Sequence, residues 1–269
     1  MYQILIGTII CLVIALYAYN KKSLTINGLF GALCMGIVLT VCGGLYFLSL
    51  LITFFISSTI AGKFCKHLEK ELSSIHQKCG ARDIAQVAAN GMPALLFAIL
   101  FYLTGNHIFI LGFATGIASS NADTWGSELG VLSKKPTVSI LNFKPLRKGL
   151  SGGITFAGTM ASFAGAVLIA AVFTIGYHHV YNDSSHALLL FTLCLFGGFA
   201  GSLLDSVLGA TLQVKYYCEA KQMITEKRVT DGTNNKVFSG YPLINNDVVN
   251  FASSFIVSLL TVFVYMLLT

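Results

Sequence analysis

The chain has 269 residues, 55% hydrophobic and only 10% charged, with a mean hydropathy of +0.76; soluble domains carry about 25% charged residues, so a water-soluble globule is excluded. A net charge of +6 would suit a nucleic-acid partner, but the basic residues are confined to a few connections between apolar runs, so they report topology and no nucleic acid is expected. Seven Cys form no CxxC pair, and Cys11, Cys34, Cys42 and Cys194 lie inside apolar runs, which indicates neither a disulfide framework nor a zinc site.

Eight apolar segments follow one another, at about 3–19, 24–42, 45–62, 84–104, 108–129, 152–177, 187–212 and 248–268. Each is close to the ~20 residues that a helix needs to cross hydrocarbon. The expected fold is therefore all-α: one integral-membrane domain over 1–269, polytopic, with about eight transmembrane helices. The first segment lacks a basic n-region and a small-x-small cleavage site, and Lys21-Lys22 follow it, so it reads as an uncleaved anchor. The 26 Gly favour close helix packing. All 17 Lys and Arg fall in four connections: two in 20–23, five in 63–83, five in 130–151 and five in 213–247. The connections 43–44, 105–107 and 178–186, and both termini, carry none. Basic loops stay in the cytoplasm, which predicts both termini on the non-cytoplasmic side.

Polar residues map onto this topology unevenly. The connection from Lys63 to Arg82, with Glu69 and Glu71, reads as an amphipathic surface helix. Arg82, Gln86 and Asn90 form an i, i+4, i+8 stripe on the fourth span, ahead of a kink expected at Pro93. The fifth span ends in Asn121–Gly130, where Asn121, Trp125 and Glu128 share one face and Asp123 and Ser127 an adjoining one. The sixth starts at Lys148-Gly149-Leu150-Ser151-Gly152-Gly153. On the seventh, Asp205 lies about 10 Å inside the end, at 1.5 Å per residue. The polar segment 213–246 contains a turn signal at Asp231–Asn235 and could form a lid, and the eighth span opens with Asn245–Asn250. Every one of these features falls in the cytoplasmic half.

An ionisable side chain in hydrocarbon costs about 3 kcal/mol on the mildest scale, which makes it a mark of function. Asp123, Asp205 and Asp247 could hold one or two Mg²⁺, a hard cation that takes oxygen ligands and substrate phosphates; Asn90, Asn121 and Asn250 could serve as neutral ligands or donors. The alternative is that Asp and Asn only tie helices together through hydrogen bonds. Lys148, Ser151, Gly152 and Gly153 put cations and free N–H groups at a helix start, a place suited to phosphate. Basic residues there could equally meet anionic lipid. No G-x-x-x-x-G-K-[ST] or G-x-G-x-x-G occurs, so a standard nucleotide fold is not expected. The six His are poor candidates: His107, His178, His179 and His186 fall on the outer side, and His67 and His76 in the first large loop.

Five stretches together carry a resemblance: Arg82-Asp83-x-x-Gln86-Val87-x-Ala89-Asn90, Asn121-x-Asp123-Thr124-Trp125-x-x-Glu128-Leu129-Gly130, Gly149-x-x-Gly152-Gly153, Asp205-Ser206-x-Leu208-Gly209-Ala210 and Asn246-Asp247-x-Val249-Asn250. They resemble the signatures of an integral-membrane family that contains plant phytyl-phosphate kinase, animal transmembrane protein 19 and many uncharacterised prokaryotic members. Leu150 departs from the pattern, where a hydroxyl residue such as Thr is expected. The resemblance implies an isoprenyl-phosphate kinase-like phosphotransferase that converts a prenyl monophosphate to the diphosphate with a nucleoside triphosphate, CTP or ATP, and Mg²⁺. The substrate would be a lipid phosphate reached from the surrounding membrane lipids at the cytoplasmic leaflet. Asp123, Glu128 and Asp205 would be catalytic, with Asp123, Asp205 and Asp247 on the metal and Glu128 orienting the polar network. Arg82, Asn90, Asn121, Lys148, Ser151, Gly152, Gly153 and Asn250 would hold phosphate. The rival expectation is a non-catalytic transporter or flippase of an anionic lipid, against which stands the confinement of polar groups to one leaflet. Tail length, donor and oligomeric state stay open.

Overall fold

A backbone in hydrocarbon satisfies its own polar groups most simply as an α-helix, and helices make up most of the computed structural model, which describes residues 2–65, 72–77 and 80–269. They are α1 (Tyr2–Asn20), α2 (Ile26–Cys65), α3 (Ile84–Thr104), α4 (Ile108–Gly130), α5 (Phe156–Tyr181), α6 (Ala187–Thr211) and α7 (Asn246–Leu268). By length and composition six of them, all but α4, could cross a membrane.

Helix α2 is 40 residues long, about 60 Å if straight and twice the hydrocarbon thickness. It breaks at Gly43 (φ −142°, ψ 18°) and Gly44 (φ 65°, ψ −158°), the second of these being backbone that favours glycine. A methyl built on Gly36 would lie 3.6 Å from a Leu48 methyl. Those residues would stand roughly 18 Å apart along a straight helix. The chain therefore reverses at Gly43-Gly44, the connection expected from the apolar pattern, and α2 is two antiparallel arms. Each apolar run of the sequence thus falls on a helical stretch among the described residues.

Capping fixes the helix ends near the basic connections. Asp83 and Gln86 form a capping box at α3, Asp83 Oδ1 accepting from Gln86 N at 2.9 Å and Gln86 Oε1 from Asp83 N at 3.1 Å. Gln86 of the expected stripe is thus committed to the helix start. Thr155 caps α5 and Asn245 caps α7, each accepting a backbone N–H from three residues on. Helix α3 continues through Pro93 to Thr104.

The stretch at the centre is α4. It packs against α2, α3, α5, α6 and α7, and Ile110 to Ala122 is buried without a break. Small residues permit this: Gly198 of α6 lies on Ala118, and Gly201 on Ser119. Away from the basic connections the core fills with Phe47, Phe113 and Phe173, all fully buried, the first two stacked at 4.3 Å. Beyond them His107, Tyr177 and Tyr181 cluster, His107 Nδ1 standing 2.9 Å from the Tyr177 hydroxyl, an aromatic layer of the kind found at membrane interfaces.

The basic connections are not purely irregular. Short antiparallel strands β1 (Val138–Ser139) and β2 (Gly153–Ile154) pair, and segment 213–246 folds into β3 (Lys215–Cys218), β4 (Met223–Thr225), β5 (Val229–Thr230), β6 (Thr233–Asn234) and β7 (Lys236–Ser239). Strands β4, β3 and β7 form one sheet in that order. The β5–β6 hairpin turns at Asp231 (φ 49°) and Gly232 (φ 81°), the paired positive φ of a two-residue hairpin. Part of the expected surface helix between Lys63 and Arg82, including His67, Glu69 and Glu71, lies outside the described residues. Of the rest, α2 runs on to Cys65, and Leu72–His76 make a turn closed by Ile75 N to Leu72 O at 2.9 Å.

Candidate functional site

At the basic end of the bundle the helix termini diverge around a cavity of about 1090 Å³. Helix α4 sends Asp123, Thr124, Ser127 and Glu128 to its wall, α6 sends Ser202 and Asp205, and α7 sends Asp247 and Asn250. Arg82 and Asn90 enter from α3 and the residue turn before it, and Ser151, Gly152 and Gly153 close one side. Ten residues singled out in the sequence thus line one cavity. Two others do not.

Asn121 is fully buried, and its role is to join helices. Its Oδ1 accepts from the Ser57 hydroxyl at 2.8 Å and the Ser58 hydroxyl at 3.4 Å, while Nδ2 donates to Gly165 O at 2.8 Å. Every polar atom is occupied, so the expected phosphate contact is corrected to a tie between α2, α4 and α5. Trp125 shares that packing face, its ring 3.2 Å from a methyl built on Gly165. Replacing Asn121 with Ala is expected to lower stability in detergent by about 1–2 kcal/mol, read as thermal unfolding, while leaving the cavity's charges in place. Lys148 lies outside the cavity lining, its ammonium donating to Ser133 O at 3.2 Å within the same connection.

The carboxylates sit in distinct settings. Asp205 Oδ2 accepts from the Ser253 hydroxyl at 3.0 Å and, with the amide oriented to suit its neighbours, from Asn250 Nδ2 at 2.9 Å. Asp123 and Asp205 line the same cavity wall from α4 and α6. Glu128 lies against Gly62, whose Cβ position is 3.7 Å from its carboxyl carbon, and shares the cavity wall with Arg82 and His76. The Arg82 backbone is pinned by Thr25 N to Arg82 O and Arg82 N to Ser23 O, both 3.0 Å. Gly28 permits this approach, since a Cβ there would overlap the Arg82 carbonyl. Burial pushes the Arg82 guanidinium below its usual pKa, and Glu128 pulls it back up.

The donors of the glycine turn are taken up by an acidic side chain of the protein itself. Gly149 (φ 85°) and Gly152 (φ 87°) fold it so that Ser151 N donates to Glu226 Oε1 at 3.0 Å, and the Ser151 hydroxyl donates to the same oxygen. Leu150, the departure noted in the sequence, is buried beneath the turn. Glu226 comes from the end of β4 and is itself buried, as is Lys215 on β3; burial pushes the Lys215 ammonium down and the Glu226 charge pulls it up. His76 Nε2 stands 2.6 Å from Gly149 O. Glu226 and His76 had no motif or spacing to reveal them. Glu226 opens Glu226-Lys227-Arg228 in a polar segment, and only the tertiary fold brings it to Ser151.

Among the described residues no three His, Cys, Asp or Glu side chains are grouped to hold a metal ion, so Asp123, Asp205 and Asp247 form no preassembled cage. Asp123 and Asp205 offer oxygen donors to one cavity, the donor type Mg²⁺ takes when it uses one or two carboxylates and completes its shell with phosphates and water.

The profile of the integral membrane protein family DUF92 matches residues 9–258. The chain is 32% identical to Protein PGR of Arabidopsis thaliana over 97% of its own length and 95% of that protein. It is 33% identical to an uncharacterized membrane protein of Methanocaldococcus jannaschii, covering 79% of this chain and 84% of the relative. Identity to Protein VTE6, chloroplastic, of Arabidopsis thaliana is 24%, over 75% of this chain and 53% of that protein. No solved structure matches. A family profile spanning nearly the whole chain, with a bundle of helices long and apolar enough to cross a bilayer, places this multi-pass membrane protein in the DUF92 integral membrane family.

Proposed function

We propose that this protein is a prenyl-phosphate kinase-like phosphotransferase whose active side faces the cytoplasm. The observation that carries the reading is the single cavity in which Asp123, Asp205, Asp247, Arg82, Asn90, Asn250 and the Ser151 turn meet. Phosphoryl transfer needs positioning and charge neutralisation more than covalent chemistry from the protein, and those are the residue types the cavity supplies. Asp123 and Asp205 would hold Mg²⁺, which when bound neutralises phosphate oxygens. Arg82 would hold the acceptor phosphate, with Glu128 fixing the guanidinium. The resemblance to the family of plant phytyl-phosphate kinase supports the same substrate class. Transport of an anionic lipid would need a path past Phe47, Phe113 and Phe173, which are fully buried.

The test is to supply membranes containing the protein with prenyl monophosphate, Mg²⁺ and CTP or ATP, and to follow diphosphate. Formation of diphosphate that stops on chelating Mg²⁺ is expected; movement of labelled lipid phosphate across vesicles without product would replace the proposal with transport.

Orientation has its own test. In a background with Cys34→Ser and Cys79→Ser, an impermeant thiol reagent applied to intact cells is expected to label Ser184→Cys but not Lys221→Cys, because basic loops stay inside. The opposite pattern would place the cavity on the outer side.

A further inference from the structure

A second cavity, about 90 Å³, lies between α1, both arms of α2 and α3. Cys11 and Ala15 of α1 and Met35 and Leu48 of α2 give it an apolar wall. Polar groups reach it along one edge only, where Arg82, Gln86 and Asn90 line it, and these three also line the large cavity. The two spaces therefore share one polar strip, running about 12 Å up α3 from Arg82 to Asn90.

We infer that this pocket seats the part of an alkyl tail nearest the phosphate, the phosphate itself lying beyond Arg82 and Asn90 in the large cavity. The inference rests on the reading of that cavity as a lipid-phosphate site and specifies its ligand as a single-chain alkyl phosphate. An apolar void stays dry and accepts apolar guests, and this one has room for about three water volumes, which suits the first few carbons of one chain. The two chains of a phospholipid would not enter together. The remainder of the tail leaves along α1, where Leu12 and Leu16 face outward. Met35 shapes the seat: a Cβ on Gly91 would overlap its sulfur, so the thioether lies flat on α3, and a flexible thioether adapts to branched carbon.

A prenyl monophosphate carrying a diazirine near the phosphate end, photolysed with the full-length protein in detergent and mapped by mass spectrometry, tests this. Label is expected at Cys11, Ala15, Met35 and Leu48, displaced by unlabelled prenyl monophosphate and not by phosphatidic acid. Gly91→Ala, which drives Met35 into the pocket, and Ala15→Phe, which fills it, are each expected to cut label there about tenfold, the effect of excluding roughly two methylenes. Gly91→Ala adds one methyl and serves alone if Ala15→Phe fails to fold. Label unchanged by the variants, confined to outward residues such as Leu12, or displaced equally by phosphatidic acid overturns the tail seat. Labelling needs no turnover, so a mapped seat with no diphosphate formed would sink the kinase reading alone, and diphosphate formed with label elsewhere would sink the tail seat alone.

Discussion

Asp123→Asn and Asp205→Asn are each expected to lower turnover by 10²–10³-fold or more, about 3–4 kcal/mol of transition-state stabilisation lost with the metal's carboxylate partner. The substitution removes charge at nearly constant volume. Ser253 and Asn250 can still donate to the remaining carbonyl oxygen at position 205, so the local hydrogen bonds survive. Two like charges in a helix bundle oppose folding, because carboxylates withdrawn from water are costly unless paired. Thermal unfolding in detergent without Mg²⁺ is therefore expected to stay level or rise in both variants while product formation collapses. That opposition separates a site from a structural tie: the Asn121→Ala variant should instead lose stability and keep turnover. If either Asp variant unfolds early and its residual turnover tracks the folded fraction, the carboxylate is structural and the proposed chemistry fails at that residue.

The membrane part of the fold was legible because hydrocarbon leaves the chain few options. Apolar runs of span length became helices, and Gly43-Gly44 between two such runs became the reversal inside α2. Gathering of Asp123, Asp205, Asp247 and Arg82 at one end followed from reading depth along each span together with the basic connections. What stayed hidden depended on rotation and on tertiary contact. A helical spacing tells which residues share a face, not what the face meets: Asn121 and Trp125 turn into α5, while Asp123 and Ser127 turn to the cavity. Lys148 stands beside the glycine turn in sequence, but its side chain lies off the cavity wall with one donor on Ser133 O. The strands of segment 213–246 are two to four residues long, too short for an alternating period to stand out. Glu226 was invisible for a further reason. Its partner Ser151 is 75 positions away and carries no complementary charge.

Glu226→Ala is expected to loosen the basic-end loops as a unit. The one carboxylate oxygen accepts from both the Ser151 amide and its hydroxyl, while Glu226 N donates to Ile75 O at 2.9 Å and the neighbouring Thr225 hydroxyl to Ile75 O at 3.0 Å. Three connections, 72–77, 148–154 and 213–246, thus meet at one buried acid. Truncation leaves a partly buried amide without its charged acceptor and Lys215 without the Glu226 charge, about 2–3 kcal/mol of local stability. Hydrogen exchange at Ser151 should quicken by roughly a hundredfold, with smaller gains at Ile75 and across β3–β4 and none in α4. Glu226→Gln keeps an acceptor oxygen and removes the charge, so exchange at Ser151 should rise far less. The pair also reports on the anion seat. With the acid gone, inorganic phosphate added to Glu226→Ala should slow Ser151 exchange again, since the turn's N–H groups and the helix start behind them favour an anion. No protection by phosphate would mean that the turn is a latch for segment 213–246 and binds no phosphate of its own.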